Sequence, residues 1–185
     1  MLAVFQKISG GILAVEKALL IFLAGAVTGL ILLNVVTRSV DYALYWVDEL
    51  AIYAMIWMVM IGASMIVRLR KGIAVTIMDE VLPASTRGIL AVVVDFMILA
   101  FSATLIWLSY IWYDPLTLIS VDFDLAAFSA DSFNFIYEEP TNTLGIPKFW
   151  IWLIIPVVAI TMTWHALTNF LERLLRVTSS APELV

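Results

Sequence analysis

Cysteine is absent from the chain, so disulfides, thiolate metal sites and cysteine nucleophiles are excluded. Histidine occurs once, as His165, which removes bis-histidine haem ligation and any histidine-rich metal centre. Charge is scarce too: 14% of the 185 residues are Asp, Glu, Lys or Arg, against about 25% in an ordinary soluble domain. No phosphate loop, nucleophile elbow or dinucleotide fingerprint is present, so neither catalysis nor a cofactor is expected. What the chain has in excess is apolar surface, with 63% hydrophobic residues and a mean hydropathy of +1.04. The core of a small domain cannot absorb that excess. Lipid must be the solvent for much of the molecule.

Four apolar runs, residues 12–36, 46–67, 88–112 and 149–171, reach the roughly 20 residues needed to cross about 30 Å of hydrocarbon. The expected fold is therefore a single all-α integral membrane domain over residues 1–185, with four transmembrane helices and short interfacial helical segments. The first run is too long for a secretory signal and lacks a small-x-small cleavage site before a soluble domain. Lysine and arginine set the orientation. Lys7, Lys17, Arg68, Arg70, Lys71, Arg87, Arg173 and Arg176 fall on one side, and only Arg38 and Lys148 on the other. Both termini are thus expected in the cytoplasm. Between Lys71 and Arg87, the residues Ile73, Ile77, Met78 and Val81 fall at helical spacing; an amphipathic interfacial helix and a plain loop both fit. The outer connection, residues 113–148, is acidic yet holds Phe123, Phe128, Phe133, Phe135 and Tyr137. So many aromatics are expected to pack on the outer face or against another protein.

Within the spans, a few residues stand out. Gly25 and Gly29 form a small-x-x-x-small pair, and Gly11, Ala14 and Ala18 share their stripe on helix 1. Small residues let helix backbones approach in lipid, so this stripe is expected to face a helix, internal or foreign. On helix 2, Trp46, Glu49, Tyr53 and Trp57 share one face. Trp46 suits the outer interface. Glu49, a turn deeper, needs a partner or water: it is either an interface anchor or ion-path residue, or the mate of Arg38. Asp95 and His165 each lie eight residues from a basic residue at the inner boundary, hence about 12 Å deep. They are expected to meet as a polar pair, with a proton relay or a contact to a partner subunit as the alternatives.

The stretch Trp46-Val-Asp-Glu49-Leu-Ala-Ile-Tyr-Ala-Met-Ile-Trp57, then Gly62-Ala63, Arg68, Arg70, Gly72 and Leu82-Pro83, resembles the small membrane subunit (DctQ-like) of tripartite ATP-independent periplasmic (TRAP) transporters. Gly145-Ile-Pro147 and Ile155-Pro156-Val157 agree. The chain departs from the pattern at residues 72–76, which lack the family's usual His and Asp, and in a longer outer connection. The resemblance implies a scaffold for a large multi-helix, elevator-type subunit in the bacterial inner membrane. It also implies sodium-coupled import of an organic acid or similar solute, delivered by a periplasmic substrate-binding protein. By the same analogy Trp46, Glu49, Trp57 and the glycine stripe would be assembly residues. Two alternatives remain open: the membrane anchor of a redox enzyme, and an autonomous small transporter using Asp95.

Overall fold

A computed structural model describes residues 2–70 and 84–179. Among the described residues seven helices follow one another: α1 (Leu2–Ser39), α2 (Tyr45–Leu69), α3 (Ala84–Tyr113), α4 (Pro115–Ser120), α5 (Leu125–Ser132), α6 (Phe149–Trp152) and α7 (Ile154–Ser179). Among the described residues, four stretches are long and apolar enough to cross a membrane: Leu2–Ser39, Tyr45–Leu69, Gly88–Ser120 and Phe149–Leu175. The protein is an all-α integral membrane protein. The segment expected to form an inner amphipathic helix, around Ile73 to Val81, lies outside the described residues.

Helix α1 starts well before the apolar run that announced it. Its 38 residues make it about 57 Å long, nearly twice the hydrocarbon thickness. A helix satisfies its own backbone, so it continues through polar residues once begun. At its far end the chain reverses through residues 40–44, where Asp41 takes a left-handed φ of 59° and Tyr42 N–H closes on the Thr37 carbonyl at 2.9 Å. Aspartate tolerates that region better than most side chains. Helix α2 ends on Arg70, also left-handed, whose N–H caps the Ile66 and Val67 carbonyls.

Helix α7 is the hub. It packs against α1, α2 and α3, whereas α3 packs chiefly on α7. Of its most apolar window 44% is buried inside the protein, compared with 17% for α2 and for α3 and 6% for α1. Ile154 and Val158 of α7 meet Ile61 of α2 in a core that Leu20 and Leu23 of α1 complete. Pro156 explains the break at Leu153 between α6 and α7: it has no N–H for the Trp152 carbonyl and its ring crowds that position. The Ile151 carbonyl, at the same break, accepts instead from the Trp57 indole at 2.8 Å.

The outer connection is a folded cap. Asp114 and Asp124 cap α4 and α5, accepting from Thr117 N–H and from the N–H groups of Ala126 and Ala127, and Pro115 occupies the first turn of α4, where its missing N–H costs nothing. Leu118, Phe128, Ile136 and Tyr137 form a core against Tyr113, Val121 and Phe149. The Tyr137 hydroxyl donates to the Tyr113 carbonyl at 2.5 Å and the Tyr113 hydroxyl to that of Phe149 at 3.0 Å. Burial, and then the Asp114 carboxylate, push the Tyr137 phenol up, so it keeps the proton it donates. Of the five aromatics named in this connection, Phe128 and Tyr137 are buried, while Phe123, Phe133 and Phe135 stay exposed. Truncating Phe128 to Ala is expected to cost about 3–5 kcal/mol of local stability. Limited proteolysis in detergent should then cut residues 121–140 well before the four long helices; an unchanged digestion pattern would contradict the cap's having its own core.

Candidate subunit interface and the buried polar clusters

At the outer end, α1 and α2 are tied by a ring of three side chains. Arg38 Nη2 lies 2.6 Å from Asp48 Oδ2, Arg38 Nε donates to Asn34 Oδ1 at 2.9 Å, and the Asn34 amide donates to the other Asp48 oxygen. The pairing of Arg38 with Glu49 expected from the sequence is corrected here. Consecutive residues on a helix point about 100° apart, and it is Asp48 that turns toward α1.

Glu49 turns the other way, into the cap, and is 8% exposed. Its Oε1 accepts from the Tyr53 hydroxyl at 2.8 Å and from Asn142 N–H at 2.7 Å. Its Oε2 accepts from Thr143 N–H at 2.6 Å, Thr143 Oγ1 at 2.5 Å and Leu144 N–H at 3.1 Å. Three successive backbone N–H groups make an anion-binding concavity, and the loop that presents them is closed by Thr141 N–H on the Ile146 carbonyl at 2.8 Å, with Gly145 at φ +70°. Glu49, Tyr53 and Trp57 thus share a face as expected, but that face holds the cap and α6 from within the chain; Trp46 alone of the four is exposed.

The half of the bundle away from the cap holds two further clusters. His165 is fully buried, its Nδ1 2.6 Å from Ser9 Oγ and its Nε2 3.1 Å from Glu16 Oε2. Both ring nitrogens are occupied, so Asp95 has no place on this imidazole, and the expected Asp95–His165 pair is also corrected. Asp95 instead accepts from Arg173 Nε at 2.8 Å, with Arg70 Nη2 at 3.7 Å. A long guanidinium reaches up a helix from the boundary and brings a permanent charge to the carboxylate. Arg68 donates to Asn169 Oδ1 at 2.6 Å and to Glu172 Oε1 at 3.1 Å, Gln6 reaches the same Glu172 oxygen at 3.1 Å, and the Asn169 amide donates to the Val67 carbonyl at 2.7 Å. Gln6, Arg68, Arg70, Asp95, Asn169, Glu172 and Arg173 therefore link all four long helices.

Sequence reasoning missed Ser9, Glu16, Asn169 and Glu172. The signal was available: Ser9 and Glu16 are two turns apart on one face of α1, and His165, Thr168, Asn169 and Glu172 follow at i, i+3, i+4 and i+7 on α7. Polar side chains so aligned in an apolar helix face protein.

The glycine stripe faces outward. Gly11, Ala14, Ala18, Gly25 and Gly29 are all exposed, and a methyl group built at Gly11, Gly25 or Gly29 would meet no atom within 4 Å. Within the described chain, no helix takes up that stripe.

Two outcomes are expected. Glu49→Gln replaces an all-acceptor group by one whose amide N–H₂ faces N–H donors; tryptic cleavage at Lys148 should then accelerate about tenfold as the loop opens more often. Asp95→Ala should cost about 3 kcal/mol, because it takes from Arg173 the carboxylate that holds it. In a double-mutant cycle it should couple to Arg173→Ala by about 1 kcal/mol or more, and to His165→Ala by less than about 0.5. Equal coupling in the two cycles would restore the pair discarded above.

The amino-acid sequence has relatives among known proteins. The family model "Tripartite ATP-independent periplasmic transporters, DctQ component" matches residues 27–176. The C4-dicarboxylate TRAP transporter small permease protein DctQ of Vibrio cholerae is 27% identical, in an alignment covering 88% of this chain and 75% of that protein. The match takes in α2, α3 and α7 with the capped outer connection between them, the part of the chain that holds the Glu49 clamp and most of the arginine cluster. On that coverage the chain belongs to the DctQ component family of tripartite ATP-independent periplasmic transporters, as a multi-pass membrane subunit of a transporter and not an enzyme.

Proposed function

We propose that this subunit is the fixed scaffold on which a large, elevator-type membrane subunit moves, in a sodium-coupled transporter of the bacterial inner membrane that imports an organic acid. The name of the Vibrio relative favours a C4-dicarboxylate within that class. A periplasmic substrate-binding protein delivers the solute to the capped face, and both termini lie in the cytoplasm. The clustering of Arg68, Arg70 and Arg173 at one end of the bundle agrees with that orientation.

The observation that carries the scaffold reading is where polarity and smallness fall. Asp48, Glu49, Asp95, His165 and Glu172 all bond to other side chains or backbone of this chain, which locks the helices together. Asp95, the residue on which an autonomous transporter would depend, is held by arginine. Meanwhile the small stripe of α1 lies open, with no occupant from the described chain. In lipid a partner helix gains van der Waals contact at such a stripe.

Leucine at both Gly25 and Gly29 tests this. Because the space beside them is open, the chain alone should fold and melt as the parent does. Recovery of the large subunit with it from mild detergent should fall about tenfold, the factor that ~1.4 kcal/mol of lost association produces. Solute uptake by vesicles containing this chain alone would overturn the scaffold reading.

A further inference from the structure

A groove of about 300 Å³ runs between α1 and α7, with α2 at its floor. Its lips are apolar and open: Val15, Leu19 and Val157 are all exposed. Three polar side chains reach its walls. Trp57 is satisfied by the Ile151 carbonyl at 2.8 Å, and Thr161 by Ser64 at 3.0 Å and the Val158 carbonyl at 3.2 Å. Glu16 is different. It is 5% exposed, its Oε2 is 3.1 Å from His165 Nε2, and its Oε1 has no hydrogen-bond partner among the described residues. The imidazole cannot turn to serve both oxygens, because Ser9 holds its other nitrogen at 2.6 Å.

A half-satisfied carboxylate inside an apolar bundle is costly, and lipid acyl chains carry no donor to relieve it. The occupant that fits brings apolar side chains for the lips and one donor for Oε1. On the reading of this chain as a transporter subunit, we infer that the groove seats a helix of the large membrane subunit, which places a hydroxyl, amide or cationic side chain on Glu16. The glycine stripe runs along an adjoining side of the same helix, so one partner embracing α1 would use both. Glu16 is the specificity element of that contact: the apolar lips fit many helices, whereas an acceptor that the incoming helix would bury rejects one without a donor at that position.

The chain has no cysteine, so Val157→Cys creates a unique thiol on the lip of the groove. Labelled with a benzophenone maleimide in the complex and irradiated, it should yield a covalent adduct with the large subunit. Glu16→Gln keeps an acceptor for His165 and offers a donor where the partner also brings one. Adduct yield, compared where the isolated variant is folded, should fall about tenfold, the effect of losing one charged hydrogen bond to the partner, while any weakening of the His165 contact reads separately as a lower melting temperature of the isolated chain. Adducts with lipid alone, in a complex that remains intact, would sink this inference and spare the scaffold reading. So would a protein adduct whose yield Glu16→Gln does not alter. Failure of any large subunit to co-purify with the parent chain would sink both.

Discussion

A polar group in the bilayer has no water to fall back on, and that constraint organises this molecule. Helix α7 carries Thr161, His165, Thr168, Asn169, Glu172 and Arg173, and each of these must find a partner inside the protein. Helix α1 answers His165 with Ser9 and Glu16, α2 answers Asn169 and Glu172 with Arg68, and α3 answers Arg173 with Asp95. The centrality of α7 follows from this, because apolar side chains gain little by choosing protein over acyl chains. Hydrogen bonds decide which helix sits in the middle.

The same logic shapes the capped end of the bundle, where the chain also folds tightly. Glu49 stands near the start of α2 and gathers three successive backbone N–H groups from a loop more than ninety residues later in the chain. One carboxylate thereby pins the entry to α6 and α7 onto α2, while the aromatic core around Phe128 and Tyr137 sets the cap on the end of α3. Beside the break at Leu153, the Ile151 carbonyl meets Trp57. Outer cap and helix bundle are continuous through these contacts.

On the proposed scaffold role, such internal pairing is appropriate. A transporter that binds its own solute keeps polar groups near the midplane facing a cavity. Here the ionisable groups face each other, and the surfaces left over are apolar or small. The lip of the α1–α7 groove, with the second oxygen of Glu16, is one place where that pattern is incomplete, the buried Trp164 indole N–H being another, and the lip coincides with a surface that another helix can cover.

Composition alone determined the four spans and the all-α membrane class, because the need to satisfy every backbone group in lipid leaves an 18-residue apolar run few other conformations. Local motifs around Trp46 to Trp57 sufficed for the family resemblance. The sequence also marked Asp95, His165, Glu49 and Arg38 as residues needing partners, since charge at those positions is costly wherever they point. Who those partners are was decided by tertiary structure. One residue along a helix turns a side chain by about 100°, enough to give Arg38 to Asp48 and Glu49 to the cap. Arginine's reach took Asp95 from His165, and helix rotation brought Glu16 to His165 and left Gly25 and Gly29 facing out. Hydropathy cannot encode such rotations, because in lipid the inner and outer faces of a helix are almost equally apolar.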